Sequence, residues 1–159
     1  MVQEGDTAPD FTVPLATQDD VDEFTLSEET GDGPVVLAFF PGAFTSVCTD
    51  EMCDFRDELG GFEALNASVY GVSVDGPFAQ QAFAEDNDLN FPMLSDFDHE
   101  VIEEYDVFLE SLIGIYGPVA ERAVFVIDDD GEVTYRWVGE DPSYTPDMEE
   151  VRAAVEDAA

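Results

Sequence analysis

Apolar and polar residues alternate in two short segments near the start of the chain. Phe11-Thr12-Val13 and residues 22–26 predict a pair of short strands with a turn between them. Val35-Val36-Leu37-Ala38-Phe39-Phe40 is different: an unbroken apolar run that ends at Pro41. Such a run suits a strand buried on both faces of a sheet. A helical stretch over about residues 47–59 follows, with Gly60-Gly61 as its expected stop. Residues 68–74, rich in β-branched and aromatic side chains, predict the next strand. Pro77 fits the first turn of a helix running to about Asn87, and residues 100–105 a short helix. Residues 123–127 and 133–138 read as a hairpin around Asp128-Asp129-Asp130-Gly131. Pro146 opens a last helix to about Asp157. The order β-α-β-α-(α)-β-β-α predicts an α/β sandwich: a central mixed sheet flanked by helices, with an N-terminal β extension.

At 159 residues and 17.4 kDa, residues 1–159 are expected to form a single domain. A hydrophobic content of 45% supplies a core. Charge changes the picture more. Thirty-nine acidic residues face four arginines (Arg56, Arg122, Arg136 and Arg152) and no lysine, a formal net charge of -35. That argues against nucleic-acid binding and against anionic membranes as partners. The acids are interleaved with apolar residues from Glu4 to Asp157, so they belong to a folded surface rather than a tail. A surface of this kind is expected of a halophile-adapted protein, because at about 1 M salt the Debye length shrinks to about 3 Å. No apolar stretch reaches the roughly 18 residues of a membrane span, and residues 1–6 have no signal-peptide character. A cytoplasmic location is therefore expected. There the two cysteines, Cys48 and Cys53, are more often catalytic, redox-sensing or metal-binding than structural.

Cys48 falls where the buried strand has ended and a helix begins. The first helical turn has backbone N–H groups without intrahelical partners, and the helix dipole is positive there. Both favour thiolate over thiol and so expose a nucleophile. Two cysteines and the single histidine, His99, are too few for a four-ligand zinc site without several carboxylates, so no metal is expected. No Cys-x-x-Cys dithiol and no Gly-rich phosphate loop occur.

Pro41-Gly42-Ala43-Phe44-Thr45-Ser46-Val47-Cys48 resembles the Pro-x-x-x-Thr-x-x-Cys signature of the peroxiredoxins. Gly5-Asp6-Thr7-Ala8-Pro9-Asp10-Phe11 is similar to that family's opening. Phe91-Pro92-Met93-Leu94-Ser95-Asp96 is similar to its segment entering a later helix, and residues 122–128 resemble its arginine-bearing strand. The similarity runs in order along nearly the whole chain. The stretch around Phe44 is most similar to the alkyl-hydroperoxide-reductase-E-like branch. Cys53 is more similar to the bacterioferritin-comigratory, Q-type branch, and both branches stay open.

The resemblance implies a thioredoxin-like fold and a thiol-dependent peroxidase without metal or organic cofactor, reducing hydrogen peroxide and small organic hydroperoxides. Cys48 would be the peroxidatic cysteine that becomes a sulfenic acid. Thr45 would orient the peroxide, Pro41 would shield the thiolate, and Arg122 would set a permanent cation beside it. Glu51, one turn after Cys48, is placed to orient an arginine, and Arg56 to pair with Glu51 or a nearby carboxylate. Thr45 also suits a helix N-cap.

Cys53 would be the resolving cysteine. In an intact helix, residues five apart sit about 7.5 Å along the axis and roughly 140° around it, so the Cα atoms lie beyond the about 7 Å reach of a disulfide. Resolution therefore requires the helix to open. A thioredoxin-like or other dithiol donor would recycle the enzyme. The alternative is a redox sensor or chaperone using the same cysteine as a switch. The apolar segment 108–119, rich in Leu, Ile and Tyr, is expected either at a homodimer contact or as a lid over the site.

Overall fold

The computed structural model describes residues 2–159. Its strands are β1 (Thr12–Ala16), β2 (Val21–Thr25), β3 (Val35–Phe39), β4 (Ser68–Ser73), β5 (Met93–Ser95), β6 (Phe108–Leu109), β7 (Val119–Ala120), β8 (Ala123–Ile127) and β9 (Val133–Val138). Its helices are α1 (Leu26–Glu29), α2 (Ser46–Ala64), α3 (Pro77–Asp86), α4 (Glu100–Glu104) and α5 (Met148–Ala158). Seven strands form one mixed sheet in the order β2-β1-β5-β4-β3-β8-β9, and β6 pairs with β7 in a separate ribbon. Strands β3, β4 and β5 are parallel, while β8 lies antiparallel to β3.

Strand β3 is central, and its two-residue period divides the core. Val35, Leu37 and Phe39 pack on one face with Tyr70, Tyr105 and Phe125. Val36, Ala38 and Phe40 pack on the other with Met52, Phe55, Phe62 and Phe83, from α2 and α3, and with Val151 and Val155 of α5. Alternate Cβ atoms point to opposite faces, so a strand covered on both sides must be apolar throughout.

The N-terminal hairpin, β3, β4, the β8–β9 hairpin and the helices after Pro77 and Pro146 lie where the pattern puts them. Helix α2 does not stop at Gly60-Gly61. Leu59 and Phe62 are both buried, and the Phe62 ring lies 6.0 Å from that of Phe55. Burying a phenylalanine is worth about 1.5–3 kcal/mol, enough to offset a glycine pair that costs a helix about 1 kcal/mol each. The helix closes instead at Asn66, whose φ is 60°, with Ala67 N–H donating to the Phe62 carbonyl. Strand β5, expected only as a lead into a helix, is three residues long. Its neighbours β1 and β4 define it, not its own pattern.

Glu51 and Asp96 are the two buried carboxylates among the described residues. The ion pairs there are Arg56–Asp57, Arg122–Glu51 and Arg152–Glu58, so most of the acidic surface has no basic partner. Two outcomes are expected. The unfolding midpoint rises between dilute buffer and molar KCl as repulsion is screened; a salt-independent midpoint contradicts this. Gly60→Ala, at an exposed position where a Cβ meets nothing within 4 Å, stabilises the fold by about 0.5–1 kcal/mol in denaturant titration. A loss would place Gly60 outside the helix.

Candidate active site

After β3 the chain passes through Phe40 and Pro41, both buried, into a loop that ends at Thr45. The loop is fastened from below. Ala43 N–H donates to Asp75 Oδ2 at 2.8 Å, and Ser73 Oγ donates to the same oxygen at 2.7 Å. Gln80 Nε2 in turn donates to Ser73 Oγ at 3.0 Å and to the Leu94 carbonyl at 2.8 Å. Phe44 takes a left-handed φ of 66°, a conformation costly for an aromatic residue. Its ring packs edge-on against Phe83 at 5.2 Å, which helps to hold it there.

Thr45 occupies the N-cap of α2 with an extended backbone. Its hydroxyl does not cap the helix but donates to the Gly42 carbonyl at 3.0 Å. The first intrahelical bond is Thr49 N–H to the Thr45 carbonyl, so the N–H groups of Ser46, Val47 and Cys48 precede the ladder. Cys48 sits at this positive end, only 1% exposed. It borders a cavity of about 220 Å³ lined by Pro41, Thr45, Val47, Leu112, Arg122 and Pro142 among others. A larger cavity of about 580 Å³, between β1, β2 and the start of α4, is lined by carboxylates and contains no cysteine. Cys48 makes the smaller one the candidate site.

Arg122, immediately before β8, is itself buried and commits all three of its nitrogens. Nη2 donates to Cys48 Sγ at 3.1 Å, Nη1 to Glu51 Oε1 at 2.9 Å and Nε to the Pro142 carbonyl at 2.9 Å. A guanidinium presents its donors in a fixed plane, so these three acceptors fix its position. Burial pushes the Glu51 carboxyl up to about 7; Arg122 pulls it down but not enough, and Asp54 adds to the rise. Glu51 is wholly buried, and its Oε2 has no hydrogen-bond partner.

The structure thus brings Pro41, Thr45, Cys48, Glu51 and Arg122 together. Arg56 does not join them. It donates to Asp57 at 3.0 Å and to the Asn87 carbonyl at 2.7 Å. Five positions along a helix turn the side chain by about 140°, which carries Arg56 off the face of Glu51. Cys53 is half-buried on the same helix, and both cysteines are free thiols. Segment 108–119 divides. Leu112 lines the cavity, whereas Ile113 and Ile115 are 82% and 88% exposed. Sequence reading missed Asp75, which holds the loop, and Pro142, whose carbonyl holds Arg122. Asp75 is one acid among thirty-nine, and a backbone carbonyl leaves no side-chain signal.

Residues 4–136 match the model of the AhpC/TSA family. A putative peroxiredoxin of Mycobacterium tuberculosis is 38% identical over 132 residues, covering 81% of this chain and 80% of its own. Peroxiredoxin Bcp of Escherichia coli K12 is 36% identical over 132 residues, covering 82% of each. The crystal structure of peroxidoxin BcpB from Mycobacterium tuberculosis superposes with a TM-score of 0.85 at 34% identity, covering 100% of this chain and 99% of that one. Fold, sequence and the setting of Cys48 agree: the chain belongs to the AhpC/TSA family and is a peroxiredoxin, a thiol-dependent peroxidase.

Proposed function

We propose that Cys48 is the nucleophile of a two-cysteine peroxidase cycle. The observation that carries this reading is Arg122 Nη2, buried and 3.1 Å from a sulfur at the start of a helix. A cation and a helix N-terminus on one sulfur favour thiolate, the form that attacks peroxide. The thiolate attacks the distal oxygen of ROOH, the O–O bond breaks, and RO⁻ leaves and takes a proton. Cys48 is left as the sulfenic acid. The Thr45 hydroxyl donates to Gly42, so its lone pairs are free to accept the hydroperoxide O–H and orient it. Arg122 and the N–H groups of Val47 and Cys48 supply donors for the charge that grows on the leaving oxygen. Pro41 closes one wall against water.

Cys53 then attacks the sulfenic sulfur. A disulfide forms and one water leaves. A thioredoxin-like or other dithiol donor reduces that bond by two exchange steps and is itself oxidised. The cavity of about 220 Å³ suits hydrogen peroxide and small organic hydroperoxides. In this scheme residues 1–159 act as one domain, with α5 packed beside α2 in the same core as Cys48. Exposed Ile113 and Ile115 offer a homodimer contact next to the cavity, and a reducing compartment such as the cytoplasm keeps both thiols free.

Cys48→Ser is expected to abolish peroxide turnover. Cys53→Ser is expected to consume one equivalent and then stall with a dithiol donor. In the wild type, one equivalent of peroxide gives an intrachain Cys48–Cys53 bond by mass spectrometry, with faster amide exchange over residues 47–55. Full activity in Cys48→Ser contradicts the assignment. A persistent sulfenic acid with Cys53 still alkylatable removes Cys53 from the cycle.

A further inference from the structure

Two acids compete for one buried cation. Cys48 Sγ and Glu51 Oε1 each accept from a different Nη of Arg122, and all three residues are at most 2% exposed. Each of the other three arginines sits elsewhere: Arg56 on Asp57, Arg152 on Glu58, and Arg136 on β9 near Glu121. With both acids ionised, the site holds two negative charges and one positive one. Burying that surplus charge is costly, and a carboxylate oxygen without a donor makes it worse. Glu51 Oε2 is such an oxygen.

The helix dipole decides which acid keeps its charge. Its effect fades within the first turn. Cys48 is the third residue of α2 and lies within it; Glu51 is the sixth and lies beyond. The groups acting on Glu51 are Arg122 from the start of β8, Asp54 from its own helix, and Cys48 through the shared guanidinium. The turn at Pro142 brings only a carbonyl, which occupies Nε. Asp54 and a Cys48 thiolate both push Glu51 towards the neutral acid.

We propose that Glu51 and Cys48 share one proton across Arg122, so that Glu51 is the neutral acid while Cys48 is the thiolate and ionises when Cys48 is oxidised. The inference rests on the reading of Cys48 as the peroxide-attacking sulfur. In the reduced enzyme the pair carries one negative charge, matched by Arg122. Attack on ROOH gives a neutral sulfenic acid and RO⁻. Glu51 releases its proton to solvent as RO⁻ takes one up to become ROH, and the Glu51 carboxylate takes over the charge of Arg122. The site therefore carries the same charge before and after the reaction. When the dithiol donor restores the Cys48 thiolate, the returning proton reloads Glu51. Glu51 acts here through Arg122 and is a positioning and proton-holding residue.

The test uses difference infrared spectroscopy on the Cys53→Ser protein, in which oxidation stops at the sulfenic acid. The carbonyl band of a protonated carboxylic acid is titrated against pH before and after one equivalent of peroxide. The expected midpoint lies at about 7 in the reduced protein and falls by about one unit or more on oxidation. Glu51→Gln removes the band. The rate of Cys48 oxidation should also fall in the Cys53→Ser protein as pH rises and Glu51 ionises, and that descending limb should vanish in Glu51→Gln. A band that is absent from the reduced protein, or whose midpoint does not move on oxidation, overturns the proposal, as does a descending limb that survives Glu51→Gln. Intact mass is read in parallel. One added oxygen on Cys48 with an unmoved band sinks proton sharing alone; no oxygen on Cys48 sinks the nucleophile reading as well.

Discussion

A single guanidinium ties the active site to the fold. Arg122 enters from the start of β8 and bonds two side chains of α2 and a backbone carbonyl that follows β9. Helix α2 is remote in sequence from the β8–β9 hairpin and its flanking turn: Cys48 and Arg122 are 74 positions apart. A buried cation needs partners on every nitrogen, and the cost of leaving one unmatched is several kcal/mol. The site can therefore form only when sheet, helix and the Pro142 turn are all in place. The contact that ties helix to sheet is also the one that sets a cation beside the sulfur.

The rest of the architecture serves to aim α2 at that cation. Strand β3 is apolar on both faces because helices or loops cover both, and it ends where the chain must turn sharply. The turn is pinned through Asp75 and through the Phe44 ring on Phe83, which together hold a left-handed aromatic residue in place. Pinning the loop fixes the first turn of α2, and with it Cys48. The buried face of α2 beyond Cys48 (Met52, Phe55, Leu59 and Phe62) anchors the helix in the core. Cys53, half-buried, lies off that anchored stripe. Opening the first turns to join the two sulfurs would break the ties to Arg122 while leaving most of the anchors engaged.

Much of this is legible in the sequence where the signal is contiguous. The motif from Pro41 to Cys48 is read in one glance, and β3 shows itself by lacking polar residues. Arg122 is legible for another reason: in a chain of four bases, one that opens an apolar strand is conspicuous. The partners that are only backbone, such as the Pro142 carbonyl, leave no trace in side-chain pattern. The end of α2 is misread because local propensity at Gly60-Gly61 yields to the burial of Leu59 and Phe62. Arg56 takes the second of its two expected partners, a nearby carboxylate, because five positions along a helix turn its side chain by about 140° from Glu51. Strand β5 is too short to carry a period of its own.

The chain is intensely acidic outside and, among the described residues, holds its one buried cation at the Cys48 sulfur. Those two facts set the site apart from the surface around it, and the proposed chemistry rests on that cation more than on any other side chain except the sulfur. The direct measurement is the rate of Cys48 oxidation, followed by rapid-quench mass spectrometry in molar KCl, for the wild type and for Arg122→Gln. With circular dichroism unchanged, the account predicts a loss of about a hundredfold or more in the variant. Oxidation of Cys48 at the wild-type rate without the guanidinium would contradict it.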